Sequence, residues 1–327
     1  MDEVLCSWRG KPYYSLDAYC KNTYGQKLYK IALDAGFTCP NRDGVLDTRG
    51  CLFCSAGGSG DFASRLDSPE AFKSAFLEGK NQLRKKPENI RYIAYFQAYT
   101  NTYGPVSYLR EIYTAALDEP ETAGISIATR PDCLPDEVLF LLEELKALYP
   151  HKFIWIELGL QTIHERTAKL IRRGYPLPCF EAALNRLNAL DIPVIVHLIL
   201  GLPGESSEDM LASVSYLNGL SSQKGAVSGV KLQLLHVLKG TGLGDWYSKA
   251  PDKVCCFPRM EQYLDVLIDC LEHLRPDIVV HRVTGDAPAE LLLSPAWSKD
   301  KRRVLNALHQ TMKKRSAYQG RLYRKED

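Results

Sequence analysis

Short apolar runs recur along the chain from about residue 29 onward, and longer amphipathic stretches separate them. The runs are rich in β-branched and aromatic residues, which favours strands. The run Val194–Leu200 is apolar nearly throughout, as expected of a strand that is buried on both faces of a sheet. The pattern predicts strands at Lys30–Asp34, Arg91–Phe96, Ile125–Ala128, Phe153–Leu158, Val194–Leu200, Val230–Leu235 and Ile278–Arg282.

The stretches between these runs have helical periodicity. In Pro135–Leu148 the residues Val138, Leu142 and Leu145 fall on one broad apolar face, and charged residues occupy the other. Regular alternation of strand and helix predicts a parallel sheet with helices on both sides or around a barrel. Neither a low-complexity linker nor a repeat divides the early and middle thirds, so one catalytic domain with appendages is the simplest organisation.

Composition adds two constraints. The 327 residues carry a net charge of only +2, so binding of a polyanion would need a local basic patch. We find no N-terminal signal segment in Met1–Lys11 and no apolar stretch of about 20 residues, which predicts a cytoplasmic protein with no membrane association. In a reducing compartment the 10 cysteines are expected to bind metal or to be buried, rather than to form disulfides.

The most informative segment is a polar loop with three cysteines after the first predicted strand. Cys51 and Cys54 are spaced so that both thiolates can face one metal or cluster, and Gly44 and Gly50 give the loop the freedom to bring Cys39 to the same point. A loop of Asn, Arg, Asp, Thr and Gly does not build an apolar core, which argues against simple burial of the cysteines.

No fourth cysteine or histidine lies near these three residues in the sequence. A structural zinc site and an electron-carrying 4Fe-4S cluster both need four protein ligands. Three ligands therefore indicate a coordination position left open for a cofactor. The five cysteines that follow, Cys133, Cys179, Cys255, Cys256 and Cys270, have no spacing suited to a second cluster, and burial accounts for most of them.

With Phe53 just before the last cysteine and a βα array behind it, the loop resembles that of the radical S-adenosylmethionine (SAM) superfamily. The spacing C-x11-C-x2-C is similar to that of the YhcC/YtqA family, which is related to the elongator-type tRNA-modifying enzymes. The resemblance extends over nearly the whole chain and includes Tyr95–Thr102, Leu158–Thr162, His197–Glu205 and His281–Pro288.

The resemblance implies a partial (β/α)6 TIM-like barrel and a 4Fe-4S cluster held by Cys39, Cys51 and Cys54. In such enzymes SAM binds the fourth iron, and an electron from the cluster cleaves it to methionine and a 5′-deoxyadenosyl radical. The protein positions the cofactor and excludes water. An electron donor such as flavodoxin or ferredoxin is also implied.

Ligands of parallel α/β sheets bind beyond the carboxyl ends of the strands, where this chain carries polar residues. The resemblance places cofactor-binding residues at Gln97, Ala98, Tyr99 and Thr100, although relatives carry a Gly-Gly-Glu-like segment there. Arg130 is expected to pair with the SAM carboxylate or a substrate phosphate, and a surface ion pair is its alternative role. Glu157 and Gln161 match positions that bind the ribose or the methionine end of SAM.

The later strands add further candidates. His197 faces either the barrel interior or the helix layer, and strand periodicity does not decide which. Gly201 begins a turn whose glycines allow backbone groups to approach adenine, although an ordinary strand-to-helix turn would use glycines too. His236 and Lys239 are the expected substrate-side residues.

The two ends of the chain differ from its centre. Residues 1–28 form an N-terminal extension rich in aromatic and basic residues, 29–245 the barrel, and 246–327 a C-terminal extension with a basic tail. These basic segments contact RNA or are simply solvated. Kinship with elongator-type enzymes makes tRNA the leading partner and the C5 side chain of a wobble uridine the leading target.

Two alternatives remain open at this point. One is a radical SAM enzyme that acts on a small metabolite, which would not need the basic tail. The other is a non-catalytic iron-sulfur or zinc protein.

Overall fold

A parallel sheet curled into a half-barrel organises the chain, of which the computed structural model describes residues 7–83, 90–220, 227–255 and 257–324. The strand order is β2-β1-β3-β4-β5-β6-β7-β9, and all neighbouring strands are parallel. The strands are β1 Leu28–Asp34, β2 Ser64–Arg65, β3 Arg91–Phe96, β4 Thr122–Thr129, β5 Phe153–Gln161, β6 Val194–Leu200, β7 Val227–Leu234, β8 Val237–Leu238, β9 Val279–Arg282 and β10 Leu292–Ser294.

All seven predicted strands are present, with ends that differ from the prediction by at most three residues. The prediction of a parallel α/β half-barrel is confirmed. The sequence pattern missed three short strands of two or three residues. One of them, β2, lies at the sheet edge, and β8 and β10 form a separate antiparallel pair. Strands this short carry too little periodicity to be recognised.

Helices follow the strands and cover the outer face of the sheet. The predicted helix at Pro135–Leu148 begins at Asp136, and its apolar face is buried. The helices are α1 Leu16–Tyr24, α2 Phe72–Gln82, α3 Val106–Asp118, α4 Asp136–Leu148, α5 Glu165–Leu170, α6 Leu177–Ala189, α7 Ser207–Gly219, α8 Gly242–Lys249, α9 Met260–His273 and α10 Lys301–Lys314. Short 3-10 turns occupy Pro69–Ala71, Pro131–Cys133, Pro251–Lys253 and Ala296–Lys299. None of the helices within the described ranges is long and apolar enough to cross a membrane.

The N-terminal extension closes the end of the barrel where the strands begin. Cys20 of α1 belongs to an apolar cluster with residues near the starts of five strands: Leu28, Ile93, Ala123, Trp155 and Ile195. Tyr19 and Tyr24 pack against Trp155 and Phe153 around this cluster. The aromatic residues of this segment therefore form a plug, and they lie at the end of the barrel opposite the cysteine loop.

The C-terminal extension is docked onto the barrel. Helix α10 buries Val304, Leu308 and Met312, and the segment after it returns to the N-terminal extension. There the buried Gln319 donates to the carbonyls of Arg275 and Ile278 and accepts from the backbone N–H of Tyr14. The described part of the tail is thus held by specific bonds, whereas residues 1–6 and Lys325 lie outside the described residues.

The sheet does not stop at the predicted start of the C-terminal extension, residue 246, because β9 pairs with β7. The predicted division at residues 28 and 245 stays a prediction.

Candidate active site

A cavity of about 620 Å³ opens among the carboxyl ends of the strands and extends into the barrel. Cys39, Cys51 and Cys54 line its mouth. Along its walls stand Ala32, Ala128 and Gly159, small residues that leave the space open. Eight lysine and arginine side chains line the cavity, against three aspartate and glutamate side chains, so it suits anionic ligands.

Each cysteine sulfur has a hydrogen-bond donor from the protein. Asn41 Nδ2 lies 3.3 Å from Cys51 Sγ, and Arg130 Nη1 lies 3.9 Å from Cys39 Sγ. The guanidinium of Arg42 hydrogen-bonds the Cys54 side chain and also donates to the Cys54 carbonyl at 3.0 Å. Donors of this kind stabilise thiolates and tune a bound cluster.

The donor set fits an iron-sulfur cluster. The three cysteines are free of disulfides, and Gly44 and Gly50 adopt left-handed backbone conformations (φ 94° and 73°), as the sequence predicted for this loop. Burial, with the nearby Cys54, raises the pKa of Cys51 to about 12. Three neighbouring thiolates therefore need a compensating positive charge such as that of cluster iron. No three His, Cys, Asp or Glu side chains among the described residues are placed to hold a single metal ion.

The segment after β3 packs against the loop that follows the cysteines. Gln97, Tyr99 and Thr100 line the cavity, and Gln97 Nε2 donates to the Ser59 carbonyl at 2.5 Å. Tyr99 has φ 58°, and its hydroxyl donates to the Ala56 carbonyl. Ala98 is fully buried and is not part of the cavity lining, because it packs beneath this loop at Gly60.

Arg130 lies at the cysteine end of the cavity, and protein groups already accept hydrogen bonds from its guanidinium. Two of its nitrogens bind the Asp132 carboxylate at 2.9 and 2.7 Å, and a third donates to the Arg173 carbonyl at 3.0 Å. The guanidinium also stacks on Tyr175. The ion pair is largely buried and faces Cys39, so it differs from the surface ion pair that was the alternative role. A direct bond to a SAM carboxylate finds no support in these contacts.

Gln161 shows two features expected of a ligand-binding residue. Its backbone is in the left-handed region (φ 67°), which is strained for a residue other than glycine. Its Oε1 is buried, lines the cavity and has no hydrogen-bond partner among the described residues. A bound ligand with an N–H or O–H group would satisfy this acceptor.

Glu157 is the centre of the polar floor of the cavity, which lies next to the apolar plug. The other members of the floor are Lys30, Tyr95, Ser126, His197, Lys231 and Arg282. Lys30 Nζ and Ser126 Oγ approach its Oε1 at 2.6 and 2.7 Å. His197 Nε2 lies 2.7 Å from its Oε2, which also binds Lys231 Nζ. Both oxygens are therefore held by protein groups, and Glu157 organises the floor.

The charges of the floor shift the protonation of its members. Burial alone would raise the pKa of Glu157, but the ammonium groups of Lys231 and Lys30 reverse this and hold it well below its usual range. Burial and the charge of Lys231 lower the pKa of His197 to about 4. A neutral His197 donates from Nε2 to Glu157, and its Nδ1 then faces Gln233 Nε2 at 3.4 Å. His197 thus points into the barrel, which settles the orientation that the sequence left open.

This shift predicts a pH dependence of stability. The pKa of His197 in the folded chain lies below its ordinary value of 6.5, so protonation favours the unfolded chain and stability falls as the pH falls below about 6.5. Between pH 7 and pH 5 we expect His197 to cost about 2 kcal/mol of unfolding free energy.

Urea unfolding of wild type and His197→Gln at pH 7 and pH 5 measures the contribution of His197 to the unfolding free energy. The glutamine amide keeps a donor toward Glu157 but does not titrate, so the variant is expected to lose about 2 kcal/mol less than wild type. Equal losses in the two proteins would contradict a neutral, buried His197.

The remaining predicted site residues separate into two groups. His236 lines the cavity, and burial lowers its pKa to about 4. Its Nε2 is buried without a partner in the described structure. Lys239 is exposed and does not line the cavity. It directly follows β8, whose pairing with β10 places it outside the cavity. Gly201 (φ 95°) also lies outside the main cavity, where it forms the turn between β6 and α7.

Sequence reasoning missed most of the floor: Lys30, Tyr95, Ser126, Lys231 and Arg282. A signal existed for Lys231, because a lysine inside the apolar strand β7 needs a partner as much as Glu157 does in β5. Tyr95 and Ser126 are ordinary strand residues and carried no signal.

Comparison with known proteins gives the family. The chain matches the radical SAM superfamily over residues 48–217 and the Radical_SAM C-terminal domain over residues 227–314. It is 42% identical over 316 residues to the uncharacterized protein YtqA of Bacillus subtilis, a match that covers 96% of this chain and 94% of YtqA. The chain therefore belongs to the radical SAM superfamily, and the predicted relation to the YhcC/YtqA family is confirmed.

Two more distant matches concern other proteins. A Dehalococcoides mccartyi protein named tRNA uridine(34) acetyltransferase is 24% identical over 214 residues, which covers 62% of this chain and 44% of that protein. The solved structure of Elp3 from the archaeon Methanocaldococcus infernus has a TM-score of 0.65 at 16% identity, and the match covers 89% of this chain and 64% of that one. This second match shows the shared fold.

Membership of the superfamily makes the chain an enzyme and implies a 4Fe-4S cluster and SAM as its cofactors. The first matched region ends at residue 217, and the second begins at residue 227, the first residue of β7.

Proposed function

We propose that this enzyme cleaves SAM reductively at a cluster held by Cys39, Cys51 and Cys54 and modifies the C5 side chain of a wobble uridine in tRNA. The observation that carries the first part is the set of three cysteines, each with a donor to its sulfur, at the mouth of a deep cavity. When bound, the cluster and SAM supply the radical chemistry.

The protein's own residues hold and orient the ligands. The cysteine sulfurs accept hydrogen bonds from Asn41, Arg42 and Arg130, and these bonds favour the thiolate form of the cysteines. Gln161 offers an unfilled acceptor to a ligand beside the cysteines. The apolar plug around Trp155 closes the end of the barrel where the strands begin, which excludes solvent from that side.

The choice of tRNA rests on two further observations. The relative from Dehalococcoides mccartyi is named for an activity on tRNA uridine 34. In this chain Lys299 and Lys301 line the cavity near the start of α10, and α10 then exposes Arg302, Arg303, Lys313 and Lys314. Exposed basic side chains at both ends of a helix that begins at the cavity wall suit a phosphate backbone.

Charge removal on α10 is expected to weaken tRNA binding. For Arg302→Gln/Arg303→Gln, the slope of log affinity against log salt concentration should become shallower by about 1 to 2. Each phosphate contact that is removed lowers the number of counterions released on binding by about one. Filter binding of tRNA at several salt concentrations measures this slope. Substitution is preferable to removal of the tail, because Gln319 anchors the N-terminal extension.

The matched control is Arg65→Gln/Lys73→Gln, which removes two exposed charges at β2 and α2, near the opposite edge of the sheet. It should leave the slope unchanged. Equal effects of the two pairs would contradict a tRNA surface on α10.

The proposed reaction is tested with reconstituted enzyme, dithionite, SAM and total tRNA under anaerobic conditions, followed by mass spectrometry of the tRNA nucleosides. We expect a mass change in a uridine derivative with wild type and none with Cys54→Ala. Formation of 5′-deoxyadenosine with every nucleoside unchanged would refute the tRNA substrate and favour a small metabolite.

A further inference from the structure

The floor of the cavity has more positive than negative charge. Lys30 and Lys231 face a single carboxylate, Glu157, and both ammonium groups also lie 4.4 Å from the centre of the Tyr95 ring. His197 adds no charge because it is neutral. Beside them Arg282 and Lys301 share Asp286.

These cations line the cavity and have more hydrogen-bond donors than the protein uses. An ammonium group has three donors. Lys30 gives one to Glu157, and its side chain stays 21% exposed in the wall of the cavity. Lys231 gives one to Glu157 and one to the Tyr95 hydroxyl at 2.9 Å. Burial lowers the pKa of Lys231 well below its usual range, an effect that Glu157 opposes and that Lys30 and Arg282 increase. A further anion would relieve this crowding of positive charge.

The floor is far from the cysteine end of the cavity. Glu157 precedes Gln161, the last residue of β5, by four positions, which is about 13 Å along a strand. The cysteine loop begins only after the carboxyl end of β1. The floor is therefore a region of the cavity separate from the cysteine mouth, and its cations are available to a second ligand.

We propose that Lys30, Lys231 and Arg282 form a subsite for a carboxylate of the substrate. This proposal rests on the proposed function in taking the cavity as the substrate site. Two ammonium groups of the floor share one carboxylate, that of Glu157, so a second, singly charged carboxylate would balance their charge. The contacts of Glu157 show that these lysines bind a carboxylate. The substrate is thus a compound, or a side chain on a larger molecule, that carries an acidic group into the barrel.

The experiment measures binding of acetate to the full-length reconstituted enzyme by saturation-transfer NMR, with acetamide as its neutral counterpart and inorganic phosphate as a second anion. Acetate is expected to bind at least about tenfold more tightly than acetamide, because it gains charge-assisted hydrogen bonds. Acetate that binds no better than acetamide would overturn the proposal. Phosphate that binds more tightly than acetate would overturn its choice of a carboxylate.

Two variants should move the affinity for acetate in opposite directions. Lys231→Met is expected to weaken binding about tenfold, and Glu157→Gln to strengthen it about tenfold, because the internal competitor for the cations is removed. The exposed control Lys73→Met should bind as wild type does. An unchanged affinity in Glu157→Gln would show that the floor is only a structural ion-pair cluster. If that variant does not fold, Lys30→Met and Lys231→Met decide, and normal acetate binding by both overturns the proposal.

Saturating SAM separates the two sources of a carboxylate. Simultaneous binding of acetate and SAM is expected, whereas competition would assign the floor to the carboxylate of SAM itself and overturn the proposal. None of these measurements requires turnover. Failure of acetate binding and failure of SAM cleavage are therefore separate outcomes, each measured on its own.

Discussion

Cys54→Ala is expected to lose the 4Fe-4S cluster and to reduce SAM cleavage to background. The chain supplies three sulfurs at the cavity mouth, and two remaining thiolates cannot hold the cluster in place. Cys39→Ala and Cys51→Ala should behave in the same way. Iron and acid-labile sulfide per chain, with the absorbance of the reconstituted protein, measure the loss.

Cys255→Ala is the matched control, because this cysteine lies beside Ser294 and away from the cavity mouth. It should keep wild-type iron and sulfide. A Cys54→Ala protein with a full complement of both would show that the ligand set is different from the one described here.

Glu157→Leu is expected to lower the unfolding free energy by about 3–5 kcal/mol at pH 7, since it leaves the cations of Lys30 and Lys231 in the barrel without their carboxylate. Ser126 and His197 would also lose their hydrogen-bond acceptor. Urea unfolding followed by circular dichroism measures the change.

An exposed ion pair provides the comparison. Glu144 binds Arg110 between α4 and α3 through two hydrogen bonds, and both side chains are more than 40% exposed. Glu144→Leu should cost no more than about 1 kcal/mol because water screens the pair. Similar losses in the two variants would contradict a central structural role for Glu157.

The sequence pattern was sufficient for the sheet because its strands are buried on both faces. Continuous apolar runs such as Val194–Leu200 identify such strands, and helices of regular periodicity lie between them. The N-terminal extension was harder to interpret. Its tyrosines and tryptophan are equally typical of an RNA-contacting surface and of an apolar plug, and only the packing of α1 against Trp155 distinguishes the two.

The candidate site was predictable where chemistry is rare in a sequence. Three cysteines in a polar loop have few explanations, and a glutamate or histidine inside an apolar strand needs a partner. The partners themselves were not predictable. Lys30 and Glu157 lie 127 positions apart, and no local pattern reveals that their strands face each other across the barrel. Arg130 differs, since its partner Asp132 is only two residues away, but an ion pair was predicted for it only as an alternative and at the surface.

The floor and the cysteines together define two ends of one cavity with different chemistry. Thiolate ligands and their donors lie at the mouth, and the ammonium groups of Lys30 and Lys231 lie at the floor. This arrangement lets the enzyme hold a cofactor at one end while it recognises an acidic group at the other.

The central claim is that this cavity cleaves SAM, and the most direct measurement is formation of 5′-deoxyadenosine. Reconstituted wild type and Cys54→Ala are reduced with dithionite under anaerobic conditions, given SAM and assayed by chromatography. The structure predicts 5′-deoxyadenosine with wild type and none with the variant. Wild type with an intact, reduced cluster that neither binds nor cleaves SAM would contradict the claim.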